Sequence, residues 1–323
     1  MIPYESFFTI LSIMTHHWLN DKIVKSMSLF LLMALIMSCS EPGLVEPPDV
    51  KNPTQPDTQV DQQEDPKVEG VDYFLPNVDL SNWKVTLPIG NPTEVEPPEI
   101  LDYANNPLLR EFMYNDSTDG SLVFYTYPGA STRNSSYSRT ELREQMVPGS
   151  NSVNWTFAQG GRMKGTLSMD EISKDSDDKF HRTIIMQIHG RLTNAQRDLI
   201  GEDDNNAPPV LKIYWNKERV RVLRKVLKDV NVNDIDILKT DAWTDEGYWF
   251  EQAVGFDKFE LEVIASDGRM EVILNGDESL VFDDIHMEKW GVFENYFKAG
   301  NYLASSDEGS FARVKYYDLV VTH

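Results

Sequence analysis

The chain has 323 residues, 11% of them aromatic, and a formal net charge of −22 with a pI near 4.6. That length holds one large domain or two small ones with a substantial core. So acidic a surface excludes nucleic acid, whose binding rests on basic contacts to phosphate, and any polyanion bound here must meet Arg and Lys gathered in one cleft.

The first element is apolar. "MSLFLLMALIMS", residues 27–38, is too short to cross a bilayer comfortably but has the length of a signal-peptide core, with Lys22 and Lys25 as a basic flank. Cys39 follows it and is the single cysteine, so no intramolecular disulfide can form. "IMSC" resembles the lipobox of bacterial lipoproteins. It implies cleavage before Cys39, lipidation of its thiol, and a protein anchored to a membrane, at the outer membrane or cell surface. The alternative is an ordinary secretion signal with a chance cysteine. Residues 1–38 are thus expected to be a leader. Residues 39–72 are expected to be a tether: 41–72 hold six Pro and nine acidic against two basic residues, net −7, with almost no large apolar side chains. Such a stretch cannot bury enough surface to offset chain entropy.

From Tyr73 the texture changes. Short alternating runs recur, among them "WKVTLPI", "SLVFYTYP", "GRMKGTLSM", "RTIIMQIH", "VLKIYW", "RVRVLRKVL" and "ARVKYYDLVV", separated by Gly, Asn, Asp and Pro. This spacing predicts strands. "ASDGRMEVILNG" predicts two strands joined by an Asp-Gly turn. The best helical candidate is "PLLREFMYN", residues 107–115. The fold expected for 73–323 is all-β, one antiparallel β-sandwich or jelly roll, and the aromatics suit either its core or a carbohydrate-binding surface.

Three stretches carry possible chemistry. In "RTELR", residues 139–143, period-2 alternation puts Arg139, Glu141 and Arg143 on one face. Arginines flanking a glutamate can orient one another and still offer donors to an anion. In "QIH", residues 187–189, Gln187 and His189 share a face and Ile188 takes the other. In "YFKAGNY", residues 296–302, Tyr296, Lys298 and Gly300 share a face, and a glycine-associated irregularity can bring Tyr302 into the same cleft. Each alone also fits a structural role: a solvated charged strand, a satisfied polar pair, a tyrosine-rich strand.

Together and in this order, the three resemble the signature regions of polysaccharide lyase family 7, the alginate lyases. "GRLTNAQRDLIGEDDNNAPPVLKIYW" is also similar to a family segment, and the resemblance spans Tyr73 to His323. It implies a jelly roll of two antiparallel sheets whose concave face is a substrate groove, and cleavage of alginate by β-elimination, with no metal or other cofactor. Arg139, Gln187 and His189 match the residues that neutralise the uronate carboxylate, and Tyr302 matches the residue at the scissile bond. Arg143, Tyr296, Lys298 and Asn301 would hold flanking uronates, and Glu141 would brace the arginines. Ile188 goes in the family with acceptance of guluronate, which makes His189 the base and Tyr302 the acid. Ala304 stands where many members carry Gln. A monomer is expected. Two other readings compete: a non-catalytic carbohydrate-binding jelly roll, and a sandwich-fold glycoside hydrolase, which needs paired carboxylates; "DEGYWFEQ" is the nearest to such a pair.

Overall fold

The computed structural model describes residues 74–323; the leader, Cys39 and the tether lie outside them. Among the described residues the strands are β1 (Asn77–Val78), β2 (Trp83–Leu87), β3 (Thr93–Val95), β4 (Met113–Asn115), β5 (Leu122–Thr126), β6 (Arg139–Glu144), β7 (Trp155–Thr156), β8 (Gly161–Ile172), β9 (Thr183–Arg191), β10 (Asn206–Asn216), β11 (Arg219–Leu227), β12 (Trp243–Ala253), β13 (Phe259–Ser266), β14 (Arg269–Leu274), β15 (Glu278–Phe282), β16 (Glu294–Leu303) and β17 (Ala312–Thr322). Two short α-helices accompany them, α1 (Asn194–Ile200) and α2 (Ile285–Trp290).

The strands form two sheets. One runs β15-β14-β13-β8-β17-β5-β4 with β1 on β17; the other runs β12-β11-β10-β9-β16-β6-β2-β3 with β7 on β16. Apart from the parallel β1–β17 pair, the pairings are antiparallel, as the alternating runs predict. The fold is a jelly roll. Alternation chooses the packed face: in β8, Met163, Gly165 and Leu167 are buried between more exposed Arg162, Lys164 and Thr166. Met186, Ile188 and Phe297 of the second sheet join Leu167, Val263 and Val314 of the first in one apolar core. Burying such side chains is worth roughly 1.5–3 kcal/mol each. The aromatics went mostly to that core, since Trp155, Trp215 and Trp290 have no accessible surface.

Two expectations meet the structure differently. The Asp-Gly turn is present, joining β13 to β14 across Asp267 and Gly268. The helix over 107–115 is not: turns lead into β4 there. Leu109, Phe112 and Met113 are buried, and β4 pairs with β5, so ladder bonds and core contacts outweigh weak local propensity.

Candidate active site

The site lies on the outer, concave face of the β2-to-β12 sheet, where register aligns polar side chains in rows across strands. One row runs Lys84 on β2, Arg143 on β6, Lys298 on β16 and Gln187 on β9. A second pairs Arg139 with Tyr302, and a third pairs His189 with Tyr296. Alternation along each strand therefore predicted the face correctly, and tertiary register brought the three motifs together.

Gly300 makes this possible. Its φ is +132°, and a Cβ there would stand 2.8 Å from the Thr140 carbonyl oxygen and 3.0 Å from the Glu141 Cα. Only glycine fits such an approach. The β16–β9 register shifts between Ala299 and Tyr302, while β16 stays regular against β6. This is the irregularity expected at the glycine, and it leaves Tyr302 on the concave face.

Asn301 requires a correction. It was expected to hold a uronate, but it points into the core. Its side chain accepts from the Thr183 hydroxyl at 2.7 Å and donates to the carbonyls of Phe124 at 2.9 Å and Ala312 at 2.7 Å. Alternation sends it opposite Tyr302, where it pins β16 to the other sheet. It has no accessible surface and cannot reach a ligand.

Glu141 is the hub of the floor. It is 1% exposed, and its carboxylate accepts from Gln187 Nε2 at 2.5 Å, from Lys298 Nζ, and from Arg139 Nη1 at 3.5 Å. A buried carboxylate is costly unless paired in this way. Glu141 does not brace Arg143, however. Arg143 donates to the carbonyls of Glu144 at 2.6 Å and Asn151 at 3.1 Å and to Asn154 Oδ1 at 2.9 Å, with its guanidinium 4.1 Å over the Tyr296 ring. Neutral acceptors hold it, so its charge stays available to an anion.

Around this floor the catalytic candidates take distinct states. Arg139 stacks 4.4 Å over the Tyr302 ring and donates to Thr132 Oγ1 at 3.0 Å, while its buried Nε has no partner. The Tyr302 hydroxyl meets Ser135 Oγ at 2.5 Å. His189 stacks on Tyr296 with centroids 5.2 Å apart, and its Nδ1 lies 2.9 Å from the Gly190 carbonyl. A carbonyl only accepts, so Nδ1 carries the proton. Burial, helped by the Lys298 charge, pushes the imidazole down to about 3, so at neutral pH Nε2 carries a bare lone pair. Burial likewise pushes Lys298 down to about 8 although Glu141 pulls the other way, and it lowers Arg143. Burial raises the Tyr296 phenol.

The cleft above these groups has a volume of about 730 Å³ and is lined by Lys84, Arg139, Arg143, Arg191 and Lys298 against Glu94 and Asp204. It is cationic in a chain whose overall charge is strongly negative, as the charge balance required of any polyanion binder. The loop before β6 and the loop after α1 meet beside it: Arg133 pairs with Asp203 at 3.0 Å, and Asn134 donates to Asp204 at 3.1 Å. The acidic segment after β9 is thus a wall of the cleft. A capping box holds α1 in place there, Thr193 accepting from the Gln196 backbone and Gln196 from the Thr193 backbone. Sequence reasoning missed Thr132 and Ser135, which contact Arg139 and Tyr302; their one signal was position, just upstream of "RTELR". Among the described residues no group of three or more His, Cys, Asp or Glu is placed to hold a metal ion.

Fold and floor define a jelly-roll protein with a cationic polysaccharide-type groove, and comparison with known proteins gives the family. The alginate lyase family model matches residues 78–323. Among solved structures, alginate lyase A1-II′, a member of polysaccharide lyase family 7, is similar at 30% identity and a TM-score of 0.61, over 76% of this chain and 96% of that one. A double variant of that enzyme, solved in complex with the substrate GGMG, is similar at 29% identity and a TM-score of 0.61, over 76% of this chain and 94% of that one. An alginate lyase from Pseudomonas aeruginosa shares the fold at 22% identity and a TM-score of 0.56, over 76% of this chain and all of that one. No protein of curated function matches the chain by sequence. The chain belongs to polysaccharide lyase family 7, the alginate lyases.

Proposed function

We propose that this protein cleaves alginate by β-elimination and acts on guluronate-containing blocks. The supporting observation is the state of His189: neutral, with Nδ1–H given to a backbone carbonyl and Nε2 free to accept a proton. That state suits the role of base better than a place in the carboxylate-neutralising set, because a bare Nε2 has no hydrogen to donate. The carboxylate falls to Arg139, with a second amide hydrogen of Gln187 beside it. Their donors stabilise the charge that develops when C5 loses its proton. His189 Nε2 takes that proton, the C5–H electrons form the C4=C5 bond, the C4–O4 bond breaks, and the Tyr302 hydroxyl protonates O4. In guluronate the C5 proton and O4 lie on opposite sides of the ring, so separate base and acid suit it. Ile188 is buried in the core and contributes only through strand placement. A hydrolase reading has less support: Asp245 is shared by Lys212 and Lys225 at 2.7 and 2.8 Å, and Glu246 is paired with Arg224 at 2.8 Å. Purified polyguluronate and polymannuronate, followed by the near-ultraviolet absorbance of the unsaturated uronate, test the proposal. Absorbance on guluronate blocks is expected; new reducing ends without absorbance, or cutting of mannuronate blocks alone, would overturn it. By the same reading the enzyme works as a monomer, held at the outer membrane or cell surface by lipid on Cys39.

A further inference from the structure

The concave face does not stop at His189 and Gln187. The row that begins with Arg139 and Tyr302 continues through Ile184 on β9, Tyr214 on β10, Arg221 on β11 and Trp249 on β12. At ~4.8 Å between neighbouring strands, Arg221 stands roughly 14 Å from Tyr302, beyond the reach of the sugar being cleaved.

Four features distinguish this end. Trp249 is 37% exposed, whereas the other described tryptophans are buried. The Arg221 guanidinium lies 5.3 Å from the Trp249 ring centroid, and its Nε is buried without a partner. Arg182 lies 5.5 Å from the Tyr214 ring centroid. The Tyr214 phenol has no hydrogen bond among the described residues, and burial keeps it protonated by pushing it up to about 12. Nearby cations are answered: Lys212 and Lys225 share Asp245, Arg219 has Glu251 and Arg224 has Glu246 and Asp284. Arg182 and Arg221 make no ion pair with any described carboxylate. Gly247 leaves room for the arrangement, since a Cβ there would come 3.1 Å from Arg221 Nη2 and 2.9 Å from Leu223 Cδ2.

Unpaired guanidinium groups set around a phenol donor, in a chain with a large surplus of acid, call for an anion from outside. We infer that Arg182, Tyr214 and Arg221 form a distal subsite for the carboxylate of a uronate further along the same polysaccharide, with Trp249 positioning Arg221. This rests on the groove being a polyuronate site, as proposed above. The Trp249 ring against Arg221 restrains its guanidinium before the ligand arrives, and less ordering entropy is lost on binding. The subsite makes long chains better substrates than short ones.

The test compares a uronate trisaccharide with the polymer, for the wild type and for Arg221→Gln and Arg182→Gln. Arg182 is exposed, so its replacement puts little folding at risk. The polymer-to-trisaccharide ratio of kcat/KM is expected to fall about tenfold in each variant, a difference of ~1.4 kcal/mol, through KM on the polymer. Added salt should erode the wild-type ratio more than the variants' ratios, because an exposed charge contact is screened. Ratios equal to the wild type, or equal losses on both substrates, would overturn the inference. In a Tyr302→Phe background, calorimetric affinities for the trisaccharide and a long oligouronate give the same ratio without turnover. A wild type that binds with that length preference but forms no unsaturated product would refute the lyase reading and leave the subsite standing.

Discussion

Replacing Glu141 with Gln keeps the shape of the buried hub and removes its charge. Three groups lose their charged acceptor: Lys298, Gln187 and Arg139. The lysine part is bounded. Its ammonium already sits at about 8, so at pH 7 it can be destabilised only until it gives up its proton, about 1.4 kcal/mol for the one remaining pH unit. Loss of the charge-assisted bond from Gln187 adds roughly 1.5–3 kcal/mol; the long contact from Arg139 adds little. The total is about 3–4 kcal/mol, which for a domain of this size lowers Tm by roughly 6–16 °C. The sign with pH follows. A lysine held below its unfolded value costs stability while protonated, and that cost fades as pH rises through the folded value. The lysine share of the Glu141→Gln deficit should therefore fade between pH 7 and pH 8, leaving the Gln187 part above pH 8. Function should fall too, because a neutral Lys298 no longer attracts a uronate and Gln187 is no longer anchored. Thermal unfolding at pH 7 and pH 9, with KM for alginate by ultraviolet absorbance, measures both effects. A variant as stable as the parent at pH 7, with KM unchanged, would refute the hub. Adding Lys298→Met should recover part of the lost stability, since the two sites share one interaction.

Tyr302→Phe removes one hydroxyl and its contact with Ser135, so stability should drop by only about 1 kcal/mol, while kcat falls by orders of magnitude; more than a tenth of the wild-type rate remaining would displace Tyr302 from the acid role. His189→Ala should lower guluronate cleavage more than mannuronate cleavage, and equal losses would reduce His189 to shaping the site. Because the imidazole is held near 3, it stays unprotonated through pH 5, and an acid limb of kcat/KM near the ordinary histidine value would contradict the state assigned to it. For Cys39→Ser, activity should move from the membrane to the soluble fraction, or maturation should stall; a wild type found wholly soluble would dispose of the lipid anchor.

The sequence determined what depends on one strand at a time. Period-2 alternation fixed which side chains of "RTELR" and "QIH" share a face, and the Gly in "YFKAGNY" marked the irregularity beside Tyr302. Punctuation by Gly, Asn, Asp and Pro was enough for the all-β class, and the order of the three motifs was enough for the family. What it could not determine depends on strands far apart in the chain. Asn301 was assigned to the ligand by motif, and alternation on β16 turned it into the core, where carbonyls of the opposite sheet satisfy its amide. Residues 107–115 carried a helical pattern that pairing with β5 overrode. Glu141 was expected to serve the arginines, yet register put Lys298 and Gln187 against it while Arg143 found neutral acceptors. The tautomer of His189 came from a single carbonyl, and the row from Arg139 to Trp249 from six strands in register. Hydrogen-bond register and burial are set by contacts between distant segments, and those are fixed only when the two sheets close on each other.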